Sequence, residues 1–343
     1  MTAKHIFTSI LALLLIILCS SCENEIPFNK AAKPPRLIMN AFINADSTNN
    51  VLLLNLTGST VISDVADATV EVRINDALVE SPQPIPFPTG DFRDTQKRFR
   101  LTSKFNPGDK VRIDARTGDG VHHAWAEVTV PQPPLPITQV DTVTLPVNIY
   151  DNYYENKLRF RITFADHPGE KNFYRLVLER RACLEATLDG RIPKDTLVMK
   201  QNYKIITRED MVLTDGHPSM SDNDNSMFDQ PLNIYGIFDD SRISGQTYTM
   251  TVYMDTNNLP YLFWSHTLKR EWMDCYVRLL SISETDYQYF KALNVIDSDA
   301  YDATLMEPLT FASNVHGGVG IVSISTETSV KLNLSDKAYD SYQ

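Results

Sequence analysis

Cysteine is scarce in this sequence: there are four, and two of them, Cys19 and Cys22, stand near the N-terminus. That leaves Cys183 and Cys275, too few for a disulfide-dense scaffold. No apolar run reaches the roughly 18 residues that a helix needs to cross a bilayer. Positive charge is short as well, with 32 Lys and Arg against 43 Asp and Glu and a formal net charge of -11. That balance argues against nucleic acid and against charge-driven attachment to an anionic membrane. The sequence has no H-E-x-x-H, G-x-S-x-G, P-loop or G-x-G-x-x-G spacing, the patterns that place metal ligands, nucleophiles and phosphate-binding amides. His316–Gly320 reads HGGVG, which suits a tight turn or a close backbone approach better than a nucleotide loop. Paired carboxylates of the glycosidase kind need only the right spatial separation, and acids are too common here to single out two. The expectation is a protein that is not an enzyme and takes no cofactor.

What is present begins with MTAKHIFTSILALLLIILCSSCENE. Lys4 supplies a positive start and Ile10–Cys19 an apolar run, so residues 1–21 read as a signal peptide. Ser20 and Ser21 lead into Cys22, as a small residue leads into the acylated cysteine of bacterial lipoproteins. Cys19 stands where that pattern usually has leucine. Cys22 is the expected lipid-attachment residue, and a secretory signal cut near the same place is the alternative. A redox or zinc reading of the C-x-x-C pair lacks a βαβ context or a second ligand pair. Several acyl chains on one cysteine anchor firmly, whereas one alone binds only marginally.

With 43% hydrophobic and 22% charged residues, the remainder is globular and long enough for two domains. Residues 22–34 read as a tether. Residues 35–130 read as an immunoglobulin-like β-sandwich. In it, ATVEVRIND alternates Val70, Val72 and Ile74 with Glu71 and Arg73 and ends on an Asn75-Asp76 turn. Further strands are expected at Lys110–Ala115 and His123–Val130. Pro131–Pro136, PQPPLP, reads as a semi-rigid linker. Residues 137–335 read as a second β-rich domain with one helix near 284–294. That helix is announced by Ser283 and Asp286 in capping-box spacing, with Tyr287, Phe290 and Leu293 on one face. The fold class expected is mainly β, with two sandwich domains.

Candidate sites are few. Cys183 and Cys275 form either a disulfide or two buried thiols; exported space permits the first, and sequence does not decide. Asp222–Ser226, DNDNS, places oxygens at alternate positions as calcium loops do, but Met227 stands where glycine is needed. His122 and His123 fall on opposite faces of a strand and cannot jointly grip one metal. The remaining histidines, among them His167, His217, His266 and His316, show no ligand spacing. Tyr150, Tyr153 and Tyr154, in a polar context, are the expected exposed aromatic surface for a partner or ligand. The polar loop 215–230 and the glycine-bearing segment 314–320 are further docking candidates.

Three features together resemble a Bacteroidota outer-membrane lipoprotein family of unknown function. They are the lipoprotein-like start, a first domain ending in DG…AWAEVTVPQPP, and the ending EPLTFASNVHGGVGIV. The ending carries Glu307, Pro308, Ser313, Asn314, Val315, Gly318, Gly320 and Ile321. Glu23 and Glu25, just after the cysteine, resemble that group's signal for export to the outer leaflet. Members are commonly encoded beside TonB-dependent receptors. The resemblance implies a cell-surface, outer-membrane lipoprotein that serves a TonB-dependent transporter as a non-catalytic accessory or ligand-capture partner. A surface adhesin or fimbrial-type structural lipoprotein is the competing class. The resemblance supplies no catalytic residues.

Overall fold

The computed structural model describes residues 34–58, 62–86, 96–150, 153–188, 191–202, 205–218, 233–255, 266–297 and 309–338. All elements below lie in the unit Arg36–Gln343. The first strands, most of them with alternating apolar residues, are β1 (Leu37–Asn44), β2 (Asn50–Leu56), β3 (Ala68–Ile74), β4 (Ala77–Glu80), β5 (Lys97–Leu101), β6 (Lys110–Thr117) and β7 (His123–Thr129). Asn75 and Asp76 both take positive φ, 50° and 70°. That is the conformation a two-residue hairpin turn requires and that Asn and Asp tolerate. Longer strands follow: β8 (Gln139–Tyr150), β9 (Tyr153–Ala165), β10 (Phe173–Leu188), β11 (Arg191–Asn202), β12 (Ile237–Asp239), β13 (Thr247–Asp255) and β14 (His266–Ile282). Helix α1 (Glu284–Asp297), β15 (Gly318–Val319) and β16 (Val322–Ala338) complete the order.

The protein is mainly β, and among the described residues α1 is the single helix. One sheet runs β11-β10-β14-β16-β1-β2-β5, with β12 paired to β10 and β15 to β1; two smaller sheets are β13-β9-β8 and β4-β3-β6-β7. The long sheet is continuous because β16 has two partners. Its start runs parallel to β1, with Ala41 opposite Val322 and Asn44 opposite Ser325. The rest runs antiparallel to β14, from Ser281 opposite Thr326 to Arg270 opposite Ala338.

Alternation along β16 then assigns the faces. Val322 and Ile324 enter a core with Leu37, Met39, Leu52, Val72, Ile113 and Ala126. That core fills the space between the β1-β2-β5 part and the sheet of β3, β4, β6 and β7. Farther along the same face, Val330 and Leu332 pack against a second core built on Phe160, Ile162, Tyr174, Leu176, Val252 and Val277. Two sandwiches therefore stand side by side on one face of a shared sheet. On the opposite face, Tyr287 and Phe290 of α1 pack with Phe173, Val177, Leu280 and Ile282.

The first core thus draws on residues well beyond 35–130. Val315 belongs to it, and His316 exchanges backbone hydrogen bonds with Trp125 (3.0 and 2.8 Å) while its ring stacks on the indole at 4.1 Å. Pro131, at the start of the proline-rich segment, is also docked, since the Thr326 hydroxyl donates to its carbonyl at 3.3 Å.

A candidate ligand groove on the back of the shared sheet

Helix α1 begins where the sequence places it. Ser283 N donates to Asp286 Oδ2 at 3.0 Å and Asp286 N donates to Ser283 Oγ at 3.1 Å, a reciprocal cap. Asp286 is fully buried, and its Oδ1 has no hydrogen-bond partner of normal geometry. Burial pushes its carboxyl up to about 6, against the help of the cap and of the nearby Ser323 hydroxyl. Farther along, Asn294 accepts the Tyr235 backbone N–H at 3.1 Å, and the Tyr235 hydroxyl donates to Asp297 at 2.5 Å. The helix therefore fixes Tyr235, whose carbonyl receives Arg175 Nε at 3.2 Å.

Arg175 is central to a groove of about 270 Å³ between α1 and the sheet, whose walls include Phe42, Phe290, Ser323, Ser325 and Arg278. The Arg175 guanidinium lies over the Phe290 ring at 4.3 Å and near Tyr235 at 5.6 Å. Desolvation pulls its pKa down to about 10, and Arg278 repels it further. Among the described residues no carboxylate pairs with it. Arg278, by contrast, is bonded to Glu179 (3.2 Å) and to Glu327, and Glu179 also holds Arg181 at 2.6 Å. Two carboxylates thus pair with two guanidiniums, and Arg175 is left without a bonded carboxylate among the described residues.

Aromatic rings continue outward from this point. Phe42 is 51% exposed and lies 5.4 Å from Phe290 and 6.1 Å from Tyr289. Tyr289 touches Phe311 at 5.4 Å. Phe42 sits on the polar side of β1, opposite its core-facing neighbours Ala41 and Ile43. Small-molecule sites are lined mainly by apolar and aromatic side chains with a few polar or charged groups, and this surface beside the groove has that composition.

The residues singled out in the sequence fall elsewhere. Tyr153 and Tyr154 are exposed, as expected, at the start of β9; the Tyr150 side chain lies outside the described residues. Neither tyrosine adjoins the groove's lining. Cys183 and Cys275 do not pair: both are free and buried. Cys183 stands opposite Trp272 and Cys275 opposite Arg180, an odd offset that sends the two thiols to opposite faces of the sheet. Burial raises both thiol pKa values, that of Cys275 to about 12, which makes them poor nucleophiles. His123 Nε2 bonds Asp114 at 3.0 Å. Asp222–Ser226, Cys22, Glu307 and Pro308 lie outside the described residues.

The glycine-bearing ending has a structural role. The Asn314 side chain bonds both the carbonyl and the amide of Val322, at 2.7 and 2.9 Å. Gly320 has φ +119°, and a Cβ there would run into the Met39 carbonyl oxygen; at Gly318 it would meet that of Leu37. The glycines let the chain lie against β1, and Ile321 N donates to Asn40 Oδ1 at 3.0 Å.

Comparison with known proteins gives a consistent but functionally silent result. The family described as Domain of unknown function (DUF4249) matches residues 23–331. Among curated proteins none matches the chain. One solved structure, titled "Biofilm associated protein - B domain", is similar over 85% of each chain at 7% identity, with a TM-score of 0.17. That score is too low to inform the fold or the function.

Proposed function

The chain belongs to the family described as Domain of unknown function (DUF4249), and from that premise we propose that it is a surface-exposed outer-membrane lipoprotein that captures a ligand for a TonB-dependent transporter. Cys22 carries the lipid, following Ser20 and Ser21 after the apolar run. The protein does no chemistry on its ligand. The observation that carries the capture role is Arg175, a desolvated cation over Phe290 with no carboxylate partner among the described residues. A protein on this kind of anchor has no pore of its own, so an energised barrel must complete uptake. Two partners anchored in one membrane meet at high effective concentration, which lets a modest interface suffice.

A detergent-solubilised pull-down of the tagged protein from its native membrane tests the partnership. Recovery of a large β-barrel transporter is the expected result. Recovery of none, together with assembly into filaments, would favour the adhesin class instead. For the anchor, Cys22→Ala is expected to release the protein from membranes or to block its maturation; membrane attachment as strong as before would contradict it.

A further inference from the structure

We propose that the groove at Arg175 is a binding site for a small organic monocarboxylate with an aromatic or branched apolar body, an assignment that rests on the ligand-capture reading above. Three observations converge on that class.

The first is charge. Arg278 and Arg181 are matched by Glu179 and Glu327, so among the described residues Arg175 is the groove-lining cation that no carboxylate bonds. A single unit of charge fits a carboxylate and leaves a phosphate dianion half neutralised. Burying a cation without a partner is costly, and an incoming carboxylate removes that cost.

The second is shape. Arg175 Nε is already committed to the Tyr235 carbonyl, and the guanidinium plane is held over Phe290. Its remaining N–H groups form a planar edge of fixed orientation, which suits the two oxygens of a carboxylate. Ser323 and Ser325 also line the groove.

The third is the apolar wall. Phe42, Phe290 and Tyr289 form a ring cluster that begins at the arginine and ends in solvent, so a ligand held by its carboxylate would lay its body on the rings. A groove of about 270 Å³ is at the small end of ligand sites, which limits the buried part to about one ring or one branched side chain. A free acid and the C-terminal residue of a peptide share this chemistry.

Titration calorimetry and saturation-transfer NMR on the purified full chain, with 3-phenylpropionate as the probe, test the assignment. Saturable binding is expected, together with its loss for the neutral isostere 3-phenylpropanol and weaker binding of phenyl phosphate. Arg175→Gln is expected to weaken binding at least about 10-fold, the cost of a lost charge-assisted pair. Phe42→Ser, at an exposed position that leaves the core intact, is expected to weaken it several-fold. A pentapeptide ending in Phe, as free carboxylate and as amide, separates the two sources: a peptide that binds more tightly than the free acid, and only as the carboxylate, identifies a chain terminus. Absence of binding by every carboxylate, equal binding to the Arg175→Gln and Phe42→Ser variants, or preference for the phosphate would overturn the assignment. Carboxylate binding without a co-purifying transporter would leave the site standing and remove the transporter role. A transporter that co-purifies equally with Arg175→Gln, with no carboxylate bound by the parent, would do the reverse.

Discussion

The two sandwiches on the shared sheet are closed in different ways. The first is closed by its own C-terminal partner: β15, the start of β16 and Val315 come from the far end of the chain and complete its apolar core. The second is closed by long neighbouring hairpins and carries buried polar links. Within it, Tyr174 donates to Asp166 at 2.6 Å. Asp210 accepts Val212 N, Leu213 N and Thr251 N at 2.9, 3.1 and 2.8 Å, and the Tyr248 hydroxyl at 3.1 Å. The first half therefore depends on backbone fit at a distant segment, and the second on satisfied polar groups. The groove lies behind the place where β16 passes from one half to the other, so its geometry depends on both.

The comparison breaks most completely if the far end is removed. A chain ending at residue 308 loses β16 from both halves and is expected to show no cooperative unfolding by circular dichroism. Residues 35–130 alone, without Val315, Val322 and Ile324, are expected to be unfolded as well. A synthetic segment 309–326 added in trans is expected to restore structure. Cooperative unfolding of 35–130 by itself would show that the first half needs no partner strand.

Point substitutions sharpen the contrast. Asp210→Ala would leave three amide donors and a tyrosine hydroxyl unmet, a loss of about 3–5 kcal/mol in urea unfolding by the cost of orphaned buried groups. Gly320→Ala, which forces a Cβ against the Met39 carbonyl at positive φ, is expected to cost about 2–3 kcal/mol. If it costs nothing, backbone fit does not govern the first half.

Asp286 should show the opposite sign. Its native carboxyl titrates at about 6 against 3.8 in its unperturbed state, so between those values the folded protein binds the proton more tightly than the unfolded chain. Its contribution to stability is most favourable below pH 3.8. It falls as pH rises, and the penalty is complete above about 6. Asp286→Asn removes the buried charge and keeps an acceptor for Ser283. It is expected to stabilise the protein at neutral pH by about 1–2 kcal/mol, after some loss of charge–helix attraction. The gain should vanish in acid, below pH 3.8. A destabilised variant at neutral pH would contradict the assignment. The smallest effect is expected from reductant: with Cys183 and Cys275 unpaired, dithiothreitol should leave the melting temperature unchanged.

Much of this architecture is legible in the sequence. Alternation marks β3, Asn75-Asp76 marks its hairpin, and Ser283 with Asp286 marks the start of α1, because each is a local rule with a local cause. The dual pairing of β16 is not legible, since a period of two shows which residues share a face and never which strand lies beside them. The glycine motif is visible, but its role depends on the carbonyls of Leu37 and Met39 nearby. The site was the least legible part. Arg175 shares a strand face with Phe173 and Val177, which is a weak signal of a cation in a half-apolar setting. Phe42 interrupts the polar side of β1 between Asn40 and Asn44. Only tertiary structure brings these two residues together and separates Tyr153 and Tyr154 from them.

Amide hydrogen exchange of the full chain with and without 3-phenylpropionate tests the capture role most directly. The account predicts ligand-dependent protection concentrated in 42–44, 233–236, 286–293 and 322–326, and the loss of that protection in Arg175→Gln. Protection confined to the start of β9 at Tyr153 and Tyr154, or none at all, would contradict it.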